Sequence, residues 1–150
     1  MNKLFAILIF LFVLNCKSTE NQAKMMKEDV VLIGKGNLYG SGAEGVEKQN
    51  LVISNPQEWK TLLEKLNSVN NVSNGFSETK IDFSKYDIIA VFDAVKTTGG
   101  HTLDIDVKIN SENTVVEVLR KSPVGMATTA MTQPYYIAKI PKRKLPIVFE

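Results

Sequence analysis

His101 is the chain's only histidine, so a Ser-His-Asp acyl-transfer device would have to use it. No Gly-x-Ser-x-Gly elbow is present to offer it a serine. Ser41 stands between Gly40 and Gly42, but without the strand, sharp turn and helix that make such a serine reactive. Asp104 and Asp106 are two residues apart and share one strand face, where carboxylates can ligate a cation or act as an acid/base pair. The same pattern describes a plain solvated face, and no ligand series continues past them. Gly40-Ser41-Gly42-Ala43-Glu44-Gly45 fits a G-x-G-x-x-G pattern. That pattern holds a pyrophosphate only where it opens a helix, and here it leads into Val46–Ser54, which reads as a strand. These residue types and spacings point away from catalysis. The expectation is a protein with no catalytic residue, no metal and no cofactor.

The elements that position these residues are organised around Tyr86–Ile109. Ile88–Phe92 is apolar throughout, as in a strand covered on both faces. Leu103, Ile105, Val107 and Ile109 alternate with Thr102, Asp104, Asp106 and Lys108, as in a strand covered on one. Thr97–Gly100 supplies a turn between them, so the stretch reads as a β-hairpin. Upstream, Val30–Ile33 reads as a short strand, and the glycines from Gly34 to Gly45 read as turns. Asn55-Pro56 is a cap-and-start signal for a helix. Trp59, Leu62, Leu63 and Leu66 then form one apolar stripe. Downstream, Thr114–Leu119 and Tyr135–Ile140 read as strands flanking a long small-residue loop, Ser122–Thr132. Leu145–Phe149 follows Pro141 and Pro146 and belongs at an edge or outside the sheet. The expected fold is α+β: six or seven mainly antiparallel strands with one amphipathic helix.

With 44% hydrophobic and 23% charged residues, the chain has the means to bury a core. Its net charge of +2 creates no strong field. Met1-Asn2-Lys3 is a short positive segment, and Leu4–Leu14 is apolar but too short for a comfortable membrane span. The apolar run stops at Asn15-Cys16, the only cysteine, and a polar stretch follows. This resembles a bacterial lipoprotein signal, with Cys16 as the lipid attachment site and the chain anchored in the cell envelope, at the outer membrane. The organisation expected is a signal peptide at 1–15, a flexible tether at 16–28 and a folded domain at 29–150. With Cys16 committed to lipid, the domain has no disulfide and no thiolate chemistry. Val118–Phe149 contains no acidic residue but carries Arg120, Lys121, Lys139, Lys142, Arg143 and Lys144. Without an aromatic platform on a recognised fold this reads as a solvated face, and nucleic acid is not an expected partner.

Three stretches carry a family resemblance: Asp82–Phe92, Thr98–Ile105 and Thr132–Lys142. In that order they resemble the C-terminal domain of PrcB-type protease-complex subunits, and the helix from Asn55 fits the same family. The family commonly has a tyrosine where this chain has His101. The resemblance implies a non-catalytic, lipid-anchored accessory subunit of a secreted subtilisin-like serine protease. Two small-residue loops are the expected partner contacts, by loop insertion or by strand addition along an exposed edge. Their contact residues are Thr98, Gly99, Gly100 and His101 in one, and Thr132, Gln133, Pro134 and Tyr135 in the other. Gly100→Val is expected to leave the fold largely intact and weaken capture of the partner. The alternative is a small-ligand-binding envelope lipoprotein using Trp59 or Tyr135.

Overall fold

Ile88–Phe92 is buried on both sides because its strand lies at the centre of a three-layer arrangement. The structure, a computed structural model, describes residues 25–150. The expected signal peptide, Cys16 and most of the expected tether lie outside the described residues. Eight strands and one α-helix are present among them: β1 (Met26–Lys27), β2 (Val31–Leu38), β3 (Gln49–Ile53), α1 (Pro56–Leu66), β4 (Tyr86–Phe92), β5 (Thr102–Ile109), β6 (Thr114–Lys121), β7 (Gln133–Pro141) and β8 (Ile147–Phe149). They form two four-stranded sheets, ordered β2-β7-β4-β3 and β1-β5-β6-β8. Every pairing is antiparallel except β6 with β8, which is parallel. The fold is thus α+β and dominated by sheet, as expected, with β1 as an extra strand.

The sheet β2-β7-β4-β3 is the middle layer. Ile88, Ala90 and Phe92 on one face pack with Ile53, Trp59, Leu62, Leu66 and Ile137. Ile89 and Val91 on the other pack with Leu103, Ile105, Val107, Val116, Tyr136 and Ala138 of the second sheet and of β7. The second sheet has its other face to water, which is where β5 turns Asp104 and Asp106.

The expected hairpin does not exist. β4 pairs with β3 and β7, and β5 pairs with β1 and β6. Residues 93–101 are therefore a crossing between sheets. The physical reason lies in the two patterns: a strand apolar on both faces belongs in the covered layer, and an alternating one belongs in the half-exposed layer.

Gly34 and Gly36, expected in turns, lie inside β2. The β2–β7 register shifts between Leu32 and Gly34, a bulge. A Cβ on Gly34 would run into the ring of Phe76, which stacks on Trp59 at 6.4 Å. The glycine makes room for an aromatic. The sheet also begins earlier than expected: Met26 and Lys27 pair with Ile109 and Lys108, and buried Glu28 is ion-paired with Arg143.

The helix forms as its sequence directs. Asn55 Oδ1 accepts from the Glu58 N–H at 2.9 Å, Pro56 opens the first turn, and Trp59, Leu62 and Leu66 are buried. Trp59 Nε1 donates to the Thr79 carbonyl at 2.8 Å, tying the helix to the segment that leads into β4. No helix of the described residues is long and apolar enough to cross a membrane.

Candidate functional site

The sheet-to-sheet crossing and the β6–β7 loop meet at one end of the molecule. Lys96 and Thr132 form an isolated antiparallel bridge, with N–H to carbonyl distances of 2.7 and 3.0 Å. The Thr132 hydroxyl donates to the Thr98 carbonyl at 3.0 Å, and the Gly99 N–H donates to the Thr128 carbonyl at 2.9 Å. Gly99 is buried, and a Cβ there would meet Thr128 Oγ1. Gly100 has φ of 84° and faces Pro123, 3.0 Å from where its Cβ would be. A valine at Gly100 would strain the backbone and push on Pro123, so the expectation that the fold stays largely intact is corrected at this loop. Thr98, Gly99, Gly100, His101 and Thr132 are thus brought together as a double loop.

Gln133, Pro134 and Tyr135 are not part of its surface. All three are buried, because β7 starts at Gln133 and runs through the middle of the covered sheet. Gln133 Nε2 donates to the carbonyls of Val46 at 2.7 Å and Asp93 at 3.0 Å. Tyr135 sits between Phe76 and Phe92 at centroid distances of 6.2 and 6.5 Å, and burial pushes its hydroxyl pKa up. Their expected role as contact residues is replaced by a structural one. Tyr135 and Trp59 are likewise closed to a ligand. The surface of the double loop is formed instead by Val124 and Met126, both fully exposed, and Met131, about half exposed. These three are not among the expected contact residues. Their signal was large apolar residues within a stretch otherwise made of Gly, Ala, Ser, Thr and Pro.

Asp93 holds this end of the fold in place. It follows β4, is buried, and has Lys96 at 3.0 Å, Arg120 at 3.8 Å and Lys48 at 3.9 Å. Burial raises its pKa, but the Lys96 hydrogen bond, the Ala94 N–H and the charges of Lys96 and Arg120 outweigh that. The carboxyl is held below its ordinary value. Much of the expected basic face is paired in the same way. Lys139 meets Glu78, Lys142 lies 3.2 Å from Asp87, and Arg143 meets Glu28.

His101 Nε2 lies 2.9 Å from Thr98 Oγ1. Among the described residues no carboxylate hydrogen-bonds to the ring, so the arrangement lacks the acid that orients a catalytic histidine. The ring lines a cleft of about 300 Å³ between β2 and β5, together with Lys35, Gly36, Asn37, Thr102, Leu103, Asp104 and Lys121. Asp104 and Asp106 do not converge on a cation. Asp104 lies 3.6 Å from Lys35, and Asp106 lies 3.6 Å from Lys27 and 3.5 Å from Lys108. Among the described residues no three His, Cys, Asp or Glu side chains are grouped to hold a metal ion. The Gly40–Gly45 stretch leads to β3, and no helix begins there.

Comparison of the chain with family models, with curated proteins and with solved structures finds no match.

Proposed function

We propose that this protein is a non-catalytic, lipid-anchored binding module of the bacterial cell envelope that holds a protein partner through the double loop. The observation that supports this reading is the exposure of Val124, Met126 and Met131 on a loop held at one end by the pairing of Lys121 with Thr102 and at the other by Thr128 and Thr132. Burying a valine or methionine side chain against a partner contributes about 1.5–3 kcal/mol. A loop already held in place loses little further entropy on docking. The family resemblance names the partner class, a secreted subtilisin-like serine protease, with this chain as its accessory subunit. The lipid at Cys16 keeps the pair at the outer membrane.

The test is affinity capture of the lipidated protein from its own membranes, followed by mass spectrometry. A stoichiometric serine protease is expected, lost on Val124→Asp with Met126→Asp, while Cys16→Ser moves the protein out of the membrane fraction. A protein recovered alone would overturn the accessory-subunit reading.

One observation favours a second reading, a small-ligand-binding envelope lipoprotein. The cleft beside His101 is lined by Lys35, Lys121, Asp104 and Asn37, and the Asn37 Oδ1 is buried without a hydrogen-bond partner. A ligand retained in native mass spectrometry, and released by Asn37→Leu, would favour it.

A further inference from the structure

Two four-stranded sheets leave four open edges, and proteins blunt such edges to avoid unplanned pairing. Three are managed here. β1 is only two residues long, and the part of β5 it leaves uncovered carries the charges of Asp104 and Asp106. β8 is three residues long and is preceded by Pro146. β2 carries a bulge between Leu32 and Gly34 and the charge of Lys35, and Ser77 caps its start, the N–H donating to the Ile33 carbonyl and the hydroxyl to the Leu32 carbonyl, both at 2.9 Å.

β3 is the exception. Its five residues, Gln-Asn-Leu-Val-Ile, include no charge and no proline. Among the described residues no strand pairs with its outer edge. Beside that edge lies a groove of about 380 Å³. Leu51, Ile53 and Leu62 give it an apolar lining, and Glu58, Thr61 and Lys65 form its helical wall. Residues 58, 61, 62 and 65 share one face of α1.

We propose that β3 and α1 together form a docking groove for an extended peptide segment of a partner protein, added antiparallel to β3. Strand addition would satisfy the free backbone groups, and alternate side chains would enter the groove. The direction follows from charge. Only Ser54 and Asn55 separate β3 from α1, so the helix starts beside Ile53 and runs back along the groove toward Gln49. Glu58 stands at the Ile53 end and Lys65 at the Gln49 end. Neither is in an ion pair among the described residues, whereas the neighbouring Lys60 and Glu64 pair with each other and Lys142 is taken by Asp87. An antiparallel peptide enters at Ile53 and leaves at Gln49. It therefore needs a basic residue first and an acidic one later. Glu58 and Lys65 are seven helical residues apart, about 10 Å, which an extended chain covers in about three or four residues. This surface is distinct from the double loop.

Two blocked peptides of equal composition, Arg-Thr-Val-Thr-Glu and Glu-Thr-Val-Thr-Arg, place the valine on the same face as both charges and test the proposal on the full chain in detergent. Binding is followed by hydrogen exchange at Gln49–Ile53. The first peptide is expected to protect these amides and to bind about fivefold tighter than the second, as two exposed ion pairs allow. The double variant Glu58→Lys, Lys65→Glu, on an exposed helix face with Asn55 still capping, should invert the preference. No protection at β3, equal binding of both peptides, or a preference unchanged by the charge swap would overturn the proposal. So would concentration-dependent protection without peptide, which would assign the edge to a second copy of the chain.

Discussion

The hydroxyl of Thr132 donates to the main-chain carbonyl of Thr98 at 3.0 Å, so a buried side chain at the start of β7 fixes the turn that enters β5. Thr132→Val keeps the shape and removes that donor. One hydrogen bond is worth about 0.5–1.5 kcal/mol net, so urea unfolding should show a loss of about 1 kcal/mol. The larger effect is local: the Gly99 amide, bonded to Thr128, should exchange its hydrogen faster. Thr132→Ser, which restores the hydroxyl, should recover most of the protection. Unchanged exchange in the valine variant would mean the two loops are held together by something else.

Asp93 makes stability depend on pH in a definite direction. Its folded-state pKa is depressed, so its contribution is present above the unfolded-state value of about 3.9. It is lost as pH falls through the lower folded-state value. Asp93→Asn removes the charge that Lys96, Arg120 and Lys48 surround. Because those cations are partly exposed, the expected cost at neutral pH is about 1–3 kcal/mol. The gap between wild type and variant should close as acid protonates Asp93 in the wild type. A gap constant down to the most acidic folded condition would contradict this assignment.

Gln133→Leu separates a structural role from a contact role. The side chain is buried, and its amide serves the carbonyls of Val46 and Asp93. Leucine would leave two buried acceptors without that donor, at a cost of about 1–3 kcal/mol each. Thermal or urea unfolding should therefore show a loss of about 2–4 kcal/mol, and any loss of partner capture should follow the fraction unfolded. A stable variant that fails only in capture would return Gln133 to the contact surface.

What could be read from the sequence was whatever a local period encodes. The alternation of β5, the stripe and cap of α1, and the edge position of β8 all follow from neighbours along the chain. The pairing of β4 was not legible. A period of two tells which face of a strand is apolar, and not which strand lies beside it. Gly34 was misread because a glycine that admits Phe76 looks the same as a glycine that makes a turn. Gln133 was misread because its partner Val46 is 87 residues away. The apolar tip of the double loop was missed because Val124 and Met126 are isolated in sequence, and their exposure depends on where the loop is fastened.

Trp59 offers the most direct check of the middle layer, since it is the chain's only tryptophan. The residue is 4% exposed, its ring stacks on Phe76, and its indole N–H donates to the Thr79 carbonyl. Its emission should be blue-shifted in the native state, insensitive to iodide, and red-shifted on unfolding. Trp59→Phe keeps an aromatic body but loses the donor and part of the buried area, so it should cost about 1–3 kcal/mol. Trp59→Ala opens a cavity between α1 and the sheet and should cost about 3–5 kcal/mol. Iodide quenching of native wild-type emission would place the ring at the surface, and with it would fall the packing of α1 on the sheet that forms the wall of the β3 groove.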